Sequence, residues 1–544
     1  MPGRKKLAGF FFGVAFLASA CSAELAAPIR DSGPVEDESS KAYELGMKLL
    51  RQKRYQEALE QFKILERDSP QLPQGYTGEG ITLALMGKPE EGINLLKKAL
   101  DIDPSFWVAR RELGIVYWQA NQKDLAAHEL GEMAKQFPGD PAVNLLLGQY
   151  EFGRSNYAQA SAYFAKAHVQ VAADVRLSLM AAEAQLKSGM KAPAREALEA
   201  LAAGPGLSPQ QRFHVGWLLG EAGDYAGSIH MMESLPDDYA DQFGRGYAIA
   251  LAYYKDGQDA QCIKTLSELK SRNLLQPELF SLLGAAEESS HHTVDAYNAF
   301  RDGINAFPTN DVNYVDIARL SADHFNYPLG EQILTNGIGL MPGNYKLYLT
   351  RGVIHTLARQ LESARADYEK ALALAPTQVE VYIALGICQE DENKYAEAAA
   401  TFRKGTLQQP KMALLYYFLA DALSRQGITV DTPAYQEALS AVESSLTLDA
   451  EFAYAYLQRA RLELLSNQTD KAVADLEHGH SLAPDARQIS YQLAVAYRTV
   501  GRKADSEKLF RTVTAASEKD AADFRTSQLR DVIVTVSNLP QKKQ

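Results

Sequence analysis

Residues 379–412 read VEVYIALGICQEDENKYAEAAATFRKGTLQQPKM. The stretch reads as two helices of about 13 residues joined by a short turn. Small residues at Gly386 and Ala398 let two helices approach closely, and a large residue such as Phe402 fills the remaining space. Pro410 stands near the end of the second helix, where it stops that helix and sets the next turn. We therefore predict a helix-turn-helix unit, which must stack on neighbours to bury its apolar face.

Prolines show that this unit recurs every 34 residues. Two runs of prolines share this spacing and one register, namely Pro70, Pro104 and Pro138, and then Pro308, Pro342, Pro376 and Pro410. The spacing from Pro410 to Pro484 is two periods plus six residues, which places one insertion around residues 428–433.

Fourteen windows of 34 residues then fit the chain. They begin near residues 39, 73, 107, 141, 175, 209, 243, 277, 311, 345, 379, 413, 453 and 487. The windows over 175–276 are the least regular, because their proline position holds Gly206, Ala240 or Leu274. The boundaries of these three windows are therefore the weakest part of the prediction.

The windows resemble the tetratricopeptide repeat, whose signature is W-x2-L-G-x2-Y, then A-x3-F, then P. Tyr382-x2-Leu385-Gly386, Ala398-x3-Phe402 and Pro410 match that signature in the second half of the chain, and Leu113-Gly114-x2-Tyr117 matches it in the first. The resemblance implies an all-α fold, a right-handed superhelical solenoid of about fourteen helix-turn-helix units. It also implies that the first helix of each unit lines a concave surface along which ligands lie.

The first twenty residues have the pattern of an export signal. Three cations within residues 1–6 precede the apolar run Leu7–Ala20, which ends in the small-x-small sequence Ala18-Ser-Ala20. The run is shorter than the roughly 20 apolar residues that span a bilayer, so a cleaved signal peptide is favoured over a permanent anchor. We expect an exported protein that is periplasmic or associated with the outer envelope.

Cys21 follows this segment directly, and its placement is similar to the lipobox of bacterial lipoproteins. The usual leucine three residues before the cysteine is replaced by Ala18, and Leu17 lies one residue further back. Acylation of Cys21 and plain cleavage into a soluble chain both remain open. The only membrane contact predicted is through a lipid on Cys21.

The remaining organisation follows from these features. We predict a signal peptide over 1–20, a flexible tether over 21–38, tandem repeats over 39–520, and a capping helix with a tail over 521–544. Leu529, Val532, Ile533 and Val536 form one apolar stripe in the last segment. That stripe is predicted to cover the final repeat.

Composition excludes several classes of function. The 56 basic and 68 acidic residues give a formal charge of -12, which disfavours nucleic acid as a partner. Phosphate-loop, zinc-helix and nucleophile-elbow motifs are absent from the sequence, so we predict no enzyme activity, no cofactor and no metal. The histidines in His291-His292 and His478-Gly-His480 are expected to be solvated or packed.

Candidate binding residues follow from the signature positions that line the concave face in this family, chiefly positions 2, 5, 9, 12 and 13. These positions hold large apolar residues in the windows from 107 to 243, and an arginine-bearing set near the C-terminus. The first set is Trp118, Phe152, Phe213, Trp217, Tyr247, Leu251 and Tyr254, and the second is Tyr417, Tyr454, Leu457, Arg461, Tyr491 and Arg498. Aromatic residues and arginine commonly anchor interfaces, so the prediction is a groove for protein or peptide segments.

Two alternatives accompany this prediction. Irregular repeats would turn the same residues into core, or the chain's own N-terminal segment would cover them. For the whole protein we expect an exported, non-enzymatic protein-binding scaffold. The alternatives are an envelope component that supports polysaccharide synthesis or export, and an enzyme with an unrecognised site.

Overall fold

The computed structural model describes residues 34–515 and 524–537, which form thirty helices and no strand. The predicted signal peptide and Cys21 lie outside the described residues. The chain divides into two compact units, Met1–Ala240 and Asp241–Gln544. Each unit is described by itself below.

The first unit contains thirteen helices within its described residues. They are α1 Pro34–Arg51, α2 Tyr55–Asp68, α3 Pro73–Leu85, α4 Pro89–Ile102, α5 Trp107–Gln119, α6 Lys123–Gln136, α7 Pro141–Gly153, α8 Tyr157–Lys166, α9 His168–Ala172, α10 Val175–Lys187, α11 Lys191–Ala203, α12 Pro209–Ala222 and α13 Tyr225–Glu233.

The second unit contains seventeen helices within its described residues. They are α14 Gln242–Lys255, α15 Asp259–Ser271, α16 Pro277–Ser289, α17 Thr293–Ala306, α18 Val312–Asp323, α19 Tyr327–Leu340, α20 Tyr345–Leu357, α21 Leu361–Leu374, α22 Val379–Asp391, α23 Tyr395–Gln408, α24 Ala413–Ser424, α25 Pro433–Leu448, α26 Ala453–Leu465, α27 Thr469–Leu482, α28 Arg487–Thr499, α29 Lys503–Ala515 and α30 Phe524–Ser537.

Twenty-eight of these helices form fourteen consecutive pairs, which confirms the all-α class and the number of repeat units. In each of the two compact units, the first helix of a pair packs on the second helix of the same pair. That second helix then packs on the first helix of the next pair in the same compact unit. In the three least regular windows, the first helices begin at Val175, Pro209 and Gln242, within one residue of the expected starts. The apolar periodicity therefore specifies these units even where the terminal proline is missing.

The turn inside every pair places its residue at window position 15 at positive φ. Six of the fourteen residues at that position are glycine, such as Gly87, and three are asparagine, such as Asn393. The other five are Lys53, Ser155, His291, Phe325 and Arg359. Glycine and asparagine tolerate the left-handed conformation best. The conformation of the helix-to-helix turn therefore explains why these two residue types are frequent at window position 15.

In the pairs that carry the signature glycine, this residue lets the first helix approach the second closely. A Cβ atom built on Gly386 would lie 2.3 Å from Cε1 of Phe402, and one built on Gly148 would lie 2.8 Å from Cδ1 of Phe164. Both phenylalanines are buried. In these two pairs, the missing side chain of the glycine leaves the space that the phenylalanine ring fills.

Three local departures from the simple pattern occur within the described residues. Ala172 stands where other windows carry proline, and the second helix of that window continues into the extra one-turn helix α9. The six-residue insertion lengthens the connection between α24 and α25, where the Thr432 side chain accepts a hydrogen bond from the Tyr435 N–H and caps α25. Helix α1 begins at Pro34, five residues inside the predicted tether.

The C-terminal helix corrects a prediction. Helix α30 contains the expected apolar stripe, but it packs mainly on α18, α20 and α22, far back along the chain, instead of covering the final pair α28 and α29. The apolar stripe of α30 indicated that the helix packs on an apolar surface, but it did not indicate which helices form that surface.

Candidate functional site

Five first helices of the second unit form one surface, which we call the second-unit groove. It is built from α18, α20, α22, α24 and α26, the first helices of five successive pairs. Its apolar floor includes residues at concave positions 5 and 9, each at most 4% exposed, namely Val315, Leu349, Val353, Ile383 and Ile387. These residues belong to one hydrophobic cluster with α30.

Helix α30 occupies this groove. Its stripe residues Leu529, Val532, Ile533 and Val536 are 1–6% exposed, while Asp531 and Thr535 on its other face point to solvent. The spacing i, i+3, i+4 and i+7 gives the helix one apolar face. The groove therefore holds an amphipathic helix, and that helix comes from the same chain.

Phe524 anchors the first turn of α30 in an aromatic pocket. Its ring stacks on Tyr454 with the centroids 4.0 Å apart, and it meets the edge of Tyr417 at 5.6 Å. Phe418 and Phe452 complete the pocket at 6.2 and 6.1 Å. Offset and edge contacts of this kind are favourable beyond the area that they bury.

Next to this pocket, Arg525 of α30 faces a buried acidic group. Its Nη1 lies 3.4 Å from Oε2 of Glu390, whose side chain is fully buried. Asp421 lies nearby and is paired with Arg425 at 2.8 Å and with Arg461 at 3.1 Å. Burial raises the pKa of Glu390, and the negative charge of Asp421 raises that pKa further. The cations of Arg525 and Arg425 lower it. A cation on the occupant therefore compensates part of the cost of this buried carboxyl.

The middle of α30 makes a second polar contact. Arg530 Nη1 lies 4.0 Å from Oδ1 of Asp323, and its guanidinium lies 5.6 Å from the centre of the Phe325 ring. Both groove residues lie at the end of α18 or just beyond it. The two arginines of α30 thus set the direction of the helix along the groove.

The second predicted set is therefore partly covered. Tyr417 is only 4% exposed because Phe524 lies on it, so its assignment to partner binding is wrong for the chain with α30 in place. Arg461 donates to Asp421 of the neighbouring repeat and to Gln458 at 3.2 Å, so it serves the ion-pair cluster of the groove. Leu457 is core.

Tyr491 and Arg498 lie on α28, outside the five helices of the groove. Tyr491 is 48% exposed and its ring meets the edge of Phe510 at 5.7 Å, and Arg498 is exposed as well. The structure therefore separates these two residues from Tyr417 and Arg461. They do not form one set, although they share signature positions.

In the first unit, the predicted aromatic residues remain at the surface to different degrees. Trp217 on α12 is 37% exposed. Trp118 is half-buried beneath Lys123, whose Nζ lies 3.3 Å from the ring centre, and Phe152 meets the edge of Tyr157 at 5.6 Å. Phe213 stacks on Tyr239 at 5.7 Å. Trp217 is thus the most open anchor of the first unit.

The two tyrosines of α14 that were predicted within the first set, Tyr247 and Tyr254, belong to the second unit. Tyr254 is buried in a core cluster with Leu266 and Leu283, so its prediction as a binding residue is wrong. Tyr247 is half-buried and stacks on Phe243 at 5.5 Å, and burial raises the pKa of its hydroxyl. Leu251 packs against the same core cluster.

The acidic residues of the groove were not among the binding residues predicted from the sequence. Glu390 and Asp421 occupy concave positions 12 and 9, where a carboxylate on an otherwise apolar face was a usable signal for a basic occupant. Arg525 on the apolar side of α30 was the matching signal. Neither residue alone identifies the other, because 135 residues separate Arg525 from Glu390.

The predicted histidines have ordinary structural surroundings. His480 Nδ1 lies 3.0 Å from the Ser490 hydroxyl, and His478 packs edge-on against Tyr456. Glu287, His292 and Asp295 bring three ligand atoms within 4.8 Å of one another at an exposed turn, and His292 already shares a hydrogen bond with Glu287. His292 and Asp295 are exposed and Glu287 is half-buried.

Within 34–515 and 524–537, no helix is both long and apolar enough to cross a bilayer. The free cysteines of this part of the chain, Cys262 and Cys388, are buried. Burial raises the pKa of the Cys388 thiol to about 12, which opposes formation of a reactive thiolate.

Stacked helix pairs of constant length define a helical repeat protein. A tetratricopeptide repeat family model matches residues 83–150 and 355–422. The chain therefore contains tetratricopeptide repeats, as the signature residues indicated.

Individual proteins are similar to this chain over a short segment or at low sequence identity. DnaJ homolog subfamily C member 7 of Mus musculus is 32% identical over 83 residues, which are 14% of this chain and 17% of that protein. Anaphase-promoting complex subunit 3 of Schizosaccharomyces pombe is 20% identical over 170 residues, which are 31% of this chain and 25% of that protein. The chain thus spans a quarter or less of the length of these relatives.

Among solved structures, yeast Tom70 aligns with 93% of this chain and 96% of its own, at 15% identity and a TM-score of 0.38.

Proposed function

We propose that this protein is an exported, non-enzymatic scaffold that binds segments of other proteins on the first-helix faces of its repeats. One observation carries the proposal: the second-unit groove holds a helical segment, α30, through an aromatic pocket, an apolar floor and a buried ion pair. A face that holds one amphipathic helix has the chemistry to hold others.

The first unit supplies a related surface with an open anchor. Trp217 is exposed at concave position 9, and Phe213 stands one helical turn before it on α12. Tryptophan is the side chain most enriched at interface hot spots. We therefore assign partner binding in the first unit to the region around α12, with Trp118 and Phe152 as further contacts.

Export and envelope location belong to the same proposal. They are supported by the basic and apolar pattern of residues 1–20 and by the position of Cys21. Incorporation of radiolabelled palmitate into the full chain, and its loss in Cys21→Ser, tests acylation. Absence of label in the unsubstituted chain would favour plain cleavage. A role in polysaccharide synthesis or export stays a prediction, because none of the contacts described above favours it.

Partner binding is tested by proximity labelling from the envelope fraction with the full-length chain. We expect Trp118→Ala combined with Trp217→Ala to lower the labelling of at least one partner by more than tenfold, because both changes remove aromatic anchors. A matched control combines Leu125→Ala with Val169→Ala, two exposed apolar residues on α6 and α9. If every partner labelled by the unsubstituted chain is labelled equally by the double tryptophan variant, the proposed surface is wrong.

A further inference from the structure

We propose that the second-unit groove is an exchangeable receptor site for an amphipathic helix of a partner protein, and that α30 is a competitor built into the chain. This inference rests on the proposed scaffold function and deepens it, since it identifies the chemistry of the ligand. Three observations support it, namely the pattern of the present occupant, its weak intrinsic helicity and its long ion pairs.

The occupant defines the ligand. The groove accepts an aromatic ring at the first position of the helix, a cation at the second, and aliphatic side chains at the sixth, ninth, tenth and thirteenth. In α30 these are Phe524, Arg525, Leu529, Val532, Ile533 and Val536. A partner helix with the same spacing fills the pocket at Tyr454, places its cation at Glu390 and covers the apolar floor.

The helix itself is a poor helix former. Residues 532–536 are Val-Ile-Val-Thr-Val, a run of five β-branched side chains, and each loses χ1 freedom in a helix. A helix of 14 residues is also close to the length at which isolated helices are marginal in water. The groove therefore supplies most of the free energy that keeps α30 helical, and an occupant with stronger helix formers on its outer face has an advantage.

The ion pairs of α30 are longer than the tightest arginine–aspartate pairs inside the repeats. Its contacts to Glu390 and Asp323 measure 3.4 and 4.0 Å. By comparison, Arg351 lies 2.7 Å from Asp367, and Arg459 lies 2.6 Å from Asp475. Shorter, better aligned pairs bind more strongly, so a different helix can improve on both contacts of α30.

A partner protein is a better candidate for this exchange than a second copy of the chain. The α30 of a second copy has the same sequence and the same contacts, so it gains nothing over the resident helix. The resident helix is also favoured by a covalent link, which corresponds to an effective concentration in the millimolar range for short linkers. Displacement therefore requires a helix of higher intrinsic affinity.

The test uses the full-length chain and a fluorescein-labelled synthetic peptide of residues 521–540 as the probe. In one variant, Leu529→Asp and Ile533→Asp remove α30 from the groove, and in the control variant Thr535→Asp adds a charge on its exposed face. We expect the first variant to bind the peptide at least about a hundredfold more tightly than the unsubstituted chain or the control, because the internal competitor is gone. Adding Tyr454→Ala to the first variant should weaken that binding at least tenfold, because it removes the stacking partner of Phe524.

A second peptide tests whether a stronger helix displaces α30. It carries Thr526→Ala, Asp531→Glu and Thr535→Ala, changes that raise helix propensity without altering the apolar stripe. We expect it to bind the unsubstituted chain about tenfold more tightly than the native peptide does. Equal binding of the two peptides would contradict the exchange that we propose.

Three other results would overturn the proposal. If the Leu529→Asp, Ile533→Asp variant loses its helical circular dichroism or its cooperative melting, α30 is a permanent part of the core. If the variant is folded and binds no peptide, the groove is not a receptor. If light scattering shows the unsubstituted chain as a dimer and the Leu529→Asp, Ile533→Asp variant as a monomer, the occupant is a second copy. None of these results bears on the tryptophan surface of the first unit, which the proximity-labelling experiment tests separately.

Discussion

At the scale of single residues, backbone conformation explains the most regular feature of the chain. All fourteen turn positions adopt positive φ, although five of them carry neither glycine nor asparagine. The cost of a non-glycine residue there is about 1 kcal/mol, which a long row of packed pairs tolerates. The 34-residue spacing located these turns correctly. The residue types of Phe325 and Arg359 did not indicate that their φ is positive.

Two glycine substitutions should change stability in opposite directions. Gly87 has φ 83°, and a Cβ built there meets no atom within 4 Å, so Gly87→Ala should destabilise the fold by about 1 kcal/mol through backbone strain alone. Gly131 lies inside α6 with similarly open space, so Gly131→Ala should stabilise it by roughly 0.5 to 1 kcal/mol. Chemical denaturation of both variants measures the difference. Equal effects would contradict the assigned backbone conformations.

A buried carboxyl should make stability depend on pH. Asp316 is fully buried, accepts a hydrogen bond from the Ser281 hydroxyl of α16 at 2.5 Å, and lies near Arg319, Asp311 and Tyr247. Burial raises the pKa of its carboxyl from 3.8 to about 7. Because the folded-state pKa is the higher one, the stabilising contribution is complete below pH 3.8 and is lost as the pH rises through 7.

The neutral variant Asp316→Asn isolates this effect. Its stability relative to the unsubstituted chain should improve by up to roughly 4 kcal/mol between pH 4 and pH 8, since each pKa unit corresponds to about 1.4 kcal/mol. Urea denaturation at both values is the measurement. A constant difference across this range would show that Asp316 keeps the same protonation in both states.

At the scale of helices, the placement of α30 depends on a few contacts that join distant parts of the chain. The stripe of α30 was visible in the sequence, and so was the exposed side marked by Asp531. Its location was not, because an amphipathic stripe specifies that a helix is buried on one side and leaves the partner open. The groove is the better partner because it offers aromatic, apolar and acidic groups in matching order.

The contact between Arg525 and Glu390 should behave as a coupled pair. Arg525→Ala leaves a fully buried carboxyl without one of its cations and should cost roughly 1 to 3 kcal/mol. Glu390→Gln in the same chain should restore most of that loss, because the neutral amide no longer needs the cation. Because the pKa of Glu390 is raised to about 8, a double-mutant cycle measured by denaturation at pH 9 gives the coupling, and a value near zero would contradict the pairing.

At the scale of the molecule, repeats make most contacts with their sequence neighbours, and α30 is the exception. In ordinary repeats, each helix pair is stabilised by its contacts with the neighbouring pairs. Helix α30 instead joins α18, α20 and α22 across several pairs. Different core substitutions should therefore spread their effects over different lengths of the chain.

Amide hydrogen exchange should show this contrast. Leu130→Ala, at a fully buried position of α6, should cost about 2 to 5 kcal/mol and raise exchange mainly in the adjoining pairs. Ile533→Ala in α30 should raise exchange in α18, α20 and α22, which lie far back along the chain. If the effect of Ile533→Ala is confined to α30 itself, the helix contributes nothing to the cooperativity of the second unit.

The sequence by itself determined the repeat length, the helix class, the number of pairs and the turn positions, because 34-residue periodicity arises from contacts inside a pair and with the next one. Tertiary structure alone decided which concave residues stay open. Tyr417 and Trp217 both occupy concave positions, yet α30 covers Tyr417 in the second unit, while Trp217 is 37% exposed within the first. The contact of Phe524 with Tyr417 and Tyr454 joins residues far apart in the sequence, and no local pattern encodes such a pairing.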